Sequence, residues 1–155
     1  MAFSKGLTSE IPAISAGVIQ NREASVILSA QEFGDLEAGL FVKFEAGSLE
    51  KVDGSADPEL VGVALRDLGA SFPAALSPDV VQSYSEYAYK GLVTVTVKAD
   101  EAPAVHGDVF VSNAGDADDG KATATGTDLA TSAKFIQEKK PVTATQDGVW
   151  LVYVG

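Results

Sequence analysis

The 155 residues include no cysteine, one histidine, one methionine and one tryptophan. Without cysteine there is no disulfide, no thiolate nucleophile and no sulfur-ligated metal, and the redox compartment is left open. A lone histidine, His106, excludes a His-His metal pair or a relay through a second histidine within one chain. Three reactive signatures are missing as well: Gly-x-Ser-x-Gly, His-Glu-x-x-His and the complete Gly-x-x-x-x-Gly-Lys-Ser/Thr. No apolar run approaches the ~18 residues of a membrane span, and the opening MAFSKGLTSEIPAIS lacks the continuous apolar stretch of a secretory signal. The sequence therefore reads as that of a soluble protein made in the cytoplasm. Positive charge is scarce, with 11 basic against 22 acidic residues and a net charge of -11. Such a chain repels nucleic-acid phosphates and anionic lipid, so neither nucleic acid nor membrane is an expected partner.

What is present is short, β-branched and punctuated by turns. Residues 1–17 show no sustained period and contain Pro12, which predicts an extended N-terminal arm ahead of a single β domain over 18–155. From Gly17 onward, apolar runs recur at the spacing of an all-β sandwich or barrel: Val18-Ile19, Ala24 to Ser29, and Leu40 to Phe44. The clearest hairpin runs from Phe41 to Val52 and turns at Ala46-Gly47, with Val42 and Phe44 on one face. Leu60-Val-Gly-Val-Ala-Leu65 is short and apolar enough to be a strand buried on both sides, with Gly62 marking a close approach or a bulge. Gly69, Pro73 and Pro78 make 67–79 the longest expected loop.

Val80–Lys90, with three tyrosines, favours extended backbone. Gly91–Lys98 is the strongest strand: Val93, Val95 and Val97 supply an apolar face and Thr94, Thr96 and Lys98 a wet one. Further strands are expected at His106–Val111, Ala133–Gln137, Val142–Thr145 and Gly148–Val154, and a weak helix over Ser29–Ala38 is opposed by Gly34.

Candidate sites are few. His106 reads as a strand-edge residue before a Gly-Asp turn, since a lone imidazole acts as a base only beside a nucleophile and an orienting group. Asp116, Asp118 and Asp119 make half of a calcium loop whose later glutamate is missing, so they read as a solvated turn, and no metal or cofactor is expected. Glu45 and Glu50 could be paired as glycosidase carboxylates, but among 22 acids the pairing carries no information. Tyr84, Tyr87 and Tyr89 could form a sugar-stacking platform or a subunit contact, or simply pack within a sheet. Trp150 reads as a core anchor.

In order along the chain, Gly39-Leu-Phe-Val42, Gly47-Ser-Leu-Glu-Lys-Val52, Val61-Gly-Val-Ala64, Tyr89-Lys-Gly-Leu-Val-Thr-Val-Thr-Val97 and Gly107-Asp-Val-Phe-Val111 resemble the strand elements of tailed-phage head decoration proteins of the structural cement type. The likeness runs from about Ala16 to Val154 and lies in the order of weak motifs. It implies a capsid decoration protein with no chemistry of its own. Such a subunit sits on the outer capsid surface of the virion, binds the major capsid protein and steadies that lattice against internal pressure, as a homo-oligomer, dimer or trimer, held at several points. Phe3, Leu7, Ile11, Pro12 and Ile14 of the arm would make capsid or inter-subunit contacts, because an arm without its own period is ordered only on a neighbour's surface. Tyr84, Tyr87 and Tyr89 are the second contact set. Two rival readings stand beside it: a carbohydrate-binding or adhesin-like β module using the tyrosine row, and a different β-rich virion protein from the tail or baseplate. An enzyme would need a pocket gathering His106 with several carboxylates.

Overall fold

The computed structural model describes residues 15–32, 36–66 and 83–155, without the side chains of Gln31, Glu32, Ser83 and Tyr84. The expected arm contacts Phe3, Leu7, Ile11, Pro12 and Ile14, and the expected loop over 67–79, lie outside the described residues. Among these there is no helix and there are nine strands: β1 Val26–Glu32, β2 Phe41–Glu45, β3 Ser48–Lys51, β4 Leu60–Ala64, β5 Ser83–Val97, β6 Asp108–Val111, β7 Ala122–Thr123, β8 Leu129–Lys140 and β9 Gly148–Val154.

Their pairings close on themselves twice. The first ring runs β1, β3, β2, β4, β5 and back to β1. The second runs β5, β7, β6, β8, β9 and back to β5. Of the sandwich and the barrel, the pairings therefore select the barrel, and closure leaves little free sheet edge. Each ring is completed by one parallel pair, Glu32 with Leu49 in the first and Val97 with Ala122 in the second.

The 15-residue β5 is a wall of both rings. Its first half pairs with β1 and β4, and from Gly91 onward it pairs with β9. Val26 pairs with Lys90 and Ile27 with Ala88, so Tyr89 is an extra residue in the ladder, a bulge. Gly91 follows with φ 125°, and a Cβ there would meet the Ser25 hydroxyl at 2.3 Å. The bulge resets the alternation. Ala88 and Val93 are an odd number of residues apart, which in a regular strand places them on opposite faces, yet both are fully buried in one apolar cluster.

That cluster fills the second ring with Val93, Val95, Val97, Val109, Val111 and Phe135, all 0% exposed. Trp150 anchors it as expected, with its ring edge-on to Phe135 at 5.4 Å, although the buried indole N–H meets no acceptor among the described residues. The first ring holds a smaller cluster of Val42, Leu49, Ala64 and Tyr87, with Phe44 packed against it on the same face as Val42. Phe41, Val63 and Ala88 of that ring point the other way and join the larger cluster. Around β4, the adjacent residues Phe41 and Val42, Val63 and Ala64, and Tyr87 and Ala88 are thus buried on both faces, which is why residues 60–65 read as a continuous apolar run.

The hairpin turn is as expected: Ala46 and Gly47 both have positive φ, at 50° and 84°, the geometry that matches the twist of two-residue hairpins. Gly62 lies where a Cβ would stand 2.1 Å from the Ala88 carbonyl, and the β2–β4 register shifts beside it. Three expectations need correction. Residues 29–32 are strand, not helix, because pairing of Ser29, Ala30 and Gln31 with Glu86, Ser85 and Tyr84 overrides a weak helical preference. Val142–Thr145 is a turn, closed by the Thr143 N–H donating to the Gln146 carbonyl and the Gln146 N–H donating to the Thr143 hydroxyl. The described parts of the two expected strands, Val80–Lys90 and Gly91–Lys98, form one strand over Ser83–Val97, while residues 80–82 lie outside the described residues.

Candidate functional site

The seam between the rings takes in the chain from its N-terminal side. Ser15 is buried, and Ala16 lies against Gly39, whose carbonyl accepts the Thr96 N–H. The Gly17 N–H donates to the Thr94 carbonyl at 2.6 Å, the Thr94 N–H to the Val18 carbonyl at 3.0 Å, and the Gln20 N–H to the Leu92 carbonyl at 2.8 Å. Ile19 bridges antiparallel to Val93, so this segment runs along the edge of β5 not taken by β9. From the first-ring side, the Arg66 N–H donates to the Gly17 carbonyl at 2.8 Å. Gly17 has φ 77°, and a Cβ on it would sit 2.7 Å from the Gly39 nitrogen and 2.8 Å from Ala38 Cβ, so a side chain at this point displaces the seam.

Thr94 fastens that entry. Its hydroxyl donates to the Ser15 carbonyl at 2.6 Å and accepts the Val18 N–H at 3.0 Å. The alternation of β5 had placed Thr94 on a wet face, but it is buried at 8% exposure because residues 15–18 lie over it. Of the residues assigned to the expected arm, Ser15, Ala16 and Gly17 are bound to the body, and residues 1–14 lie outside the described residues.

The tyrosines do not form one exposed row. Tyr87 is buried in the first-ring cluster, and burial, then the neighbouring Tyr89, raises its phenol above the usual value. Tyr89, set apart by the bulge, is 45% exposed. The Tyr84 backbone pairs with Gln31, and its side chain lies outside the described set. Tyr89 also borders a groove of about 330 Å³ between the rings, lined by Leu60, Val61, Thr131, Ala133 and Val154 among others.

A polar fastening holds the first ring to the second. The Lys43 side chain is 2% exposed, with Nζ 2.6 Å from Glu45 Oε2, 3.0 Å from Asp53 Oδ1 and 3.9 Å from Glu50 Oε2. The Glu45 carboxylate raises the Lys43 ammonium above its ordinary value, against the opposing effect of burial and with help from Asp53. Asp53 is held down to about 2 by the Ser55 hydroxyl, then by Lys43 and the Ser55 N–H. The same loop reaches the second ring: the Gly54 N–H donates to Asn113 Oδ1 at 2.7 Å, and Asn113 Nδ2 donates to the Ser55 carbonyl at 2.9 Å. A lysine between Val42 and Phe44, with Glu45 two residues on and Glu50 opposite it on the facing strand, was the available sequence signal for this cluster.

The acidic turn is internally engaged. The Gly115 N–H donates to the buried Asp119 carboxylate, the Asp118 N–H to Asp116, and Lys121 bridges Asp118 and Asp147 at 2.7 Å each. Gly115 to Lys121 has the spacing of a phosphate loop, but Ala122 replaces the hydroxyl residue, and the three aspartates and the paired lysine leave it nothing with which to attract a phosphate. His106 is exposed in a turn at φ 66°, its main-chain N–H donating to the Phe135 carbonyl. Among the described residues no cluster of three or more histidines and carboxylates is placed to hold a metal. The features with definite geometry are therefore fastenings: a chain entry locked into a seam, and a loop locked across it.

Residues 3–154 match the family model described as structural cement protein (E217 gp24/Pam3 gp6). The chain belongs to the structural cement protein family. A chain in the solved capsid of Myoviridae phage XM1 is similar at 30% identity, with a TM-score of 0.74, over 100% of this chain and 98% of that one. No curated protein matches. Membership bears out the resemblance read in the strand motifs, and with it a structural role in the virion capsid. The similarity to the phage XM1 capsid chain extends over both rings, so it includes the β5 crossing.

Proposed function

We propose that this cement protein binds the outer face of a tailed-phage head and ties neighbouring major capsid proteins together, with its N-terminal residues reaching onto an adjacent subunit. The observation that carries this reading is the fastened chain entry. Residues before Ser15 start from a fixed point on the body, and at roughly 3.3 Å per residue a 14-residue arm spans about 45 Å when extended. Phe3, Leu7, Ile11, Pro12 and Ile14 are the proposed contacts of that arm, and the exposed Tyr89 is a second contact from the body. A homo-oligomer, dimer or trimer, would multiply such contacts and convert later ones into intramolecular events. The net charge of -11 keeps free copies apart before assembly and gives them no affinity for packaged DNA.

The test is a truncation lacking residues 1–14, added to heads stripped of the protein. It is expected to fold as the full chain does, by circular dichroism, and to lose about tenfold or more in apparent affinity in co-sedimentation, equivalent to one modest apolar anchor. Undiminished retention by the truncated chain rejects the arm as the binding element.

A further inference from the structure

The segment from Ser15 to Gln20 is bonded to β5 in a way that bears on how it resists force. Its hydrogen bonds to Thr94 and Leu92 cross between antiparallel neighbours, and such bonds lie perpendicular to the strands. A pull along the strand axis strains all of them together, whereas a pull across it breaks them one after another. Ala16 lies beside Gly39 and Thr96 while Gln20 meets Leu92, so the arm enters at the Val97 end of β5 and leads toward the Gly91 end.

We propose that this segment is a shear anchor through which tension on the arm is delivered to the body, and that Thr94 is its positioning residue. Four main-chain bonds hold it: Gly17 to Thr94, Thr94 to Val18, Gln20 to Leu92 and Arg66 to Gly17. The Thr94 hydroxyl adds two more, and its single proton goes to the Ser15 carbonyl at 2.6 Å, the shorter contact, not to the Val18 carbonyl at 3.3 Å. These two bonds seize the first residues to feel a pull. The bond to Ser15 is buried and the bond from Val18 partly so, which shields them from the water that would otherwise replace them as they lengthen. Gly17 lets the chain bend into the seam, and Arg66 holds it from the first-ring side, so sideways escape is closed as well.

This inference rests on the proposed function for the source of the tension, but its test uses the isolated chain, so the two can fail separately. Since the chain has no cysteine, handles can be placed at will. Ala2→Cys with Tyr153→Cys pulls toward opposite ends of β5, because Tyr153 pairs with Leu92. Ala2→Cys with Thr145→Cys pulls from the same end, because Gly148 pairs with Val97 and Thr145 lies just before it. In optical-tweezer measurements at equal loading rate, the first geometry is expected to rupture at about twice the force of the second or more, forced opening being governed by the unfolding barrier along the pulled direction. Thr94→Val is expected to lower the first force by roughly a third and leave the second nearly unchanged, and Thr94→Ser to restore it, since the hydroxyl bonds alone are removed and returned. A general loss of stability would lower both forces by the same factor. That outcome, or equal forces in the two geometries, overturns the proposal.

Discussion

The two rings share a strand but are filled differently. The second encloses valines from three strands, packed around Phe135 and Trp150, while the first encloses Val42, Leu49, Ala64 and Tyr87 and turns Phe41, Val63 and Ala88 outward to its neighbour. The first ring makes up the difference with backbone and charge. Gly62 allows β4 to approach β5 closely, and the buried Lys43 gathers Glu45 and Asp53 and so fixes the loop that reaches Asn113. The second ring is held by apolar volume, and the first by close approach, polar fastening and the neighbour it leans on.

The sharpest way to break that contrast is to empty the second ring. Phe135→Ala is expected to cost about 3–5 kcal/mol, the usual loss for a fully buried aromatic, read from urea denaturation. A cost near 1 kcal/mol would mean that the second ring does not depend on its filling. Lys43→Ala should act more locally, costing about 2 kcal/mol through the lost packing of its buried stem. Amide exchange should quicken in β2, β3 and the loop after β3 and stay slow in β9. Equal acceleration in β9 would erase the distinction between the rings.

The smallest effect is in acid. Asp53 titrates at about 2 instead of the ordinary 3.8, so its contribution is complete above that ordinary value and is lost as pH falls through 2. Lys43 is raised, so its contribution is complete below 10.5 and is lost only as pH rises through its higher folded value. The fastening is therefore engaged across the whole neutral range. Asp53→Asn should flatten the fall of the urea midpoint between about pH 4 and pH 2 relative to the unmodified chain, and an unchanged slope would show that Asp53 is not linked to folding.

Much of the fold was legible because local chemistry decided it: the turn at Ala46-Gly47, the alternating valines of β5, the close approach at Gly62 and the buried Trp150. The bulge at Tyr89 was not, since it depends on how β1 meets β5 and leaves no mark in the residues themselves. For that reason Tyr87 and Tyr89, which strict alternation puts on one face, part company. Thr94 was hidden for a related reason: its covering comes from residues nearly eighty positions earlier in the chain. Lys43 could have been found, as an apolar-flanked cation facing Glu50 across a two-residue turn, with Glu45 two residues on along its own strand.

A chain that passes from one enclosure to the next inside a continuous strand has no hinge at the crossing. The angle between the two rings is set by the dihedral angles around Tyr89 and Gly91 and by hydrogen bonds on either side of them. Whatever rests on one ring is thereby oriented with respect to whatever rests on the other.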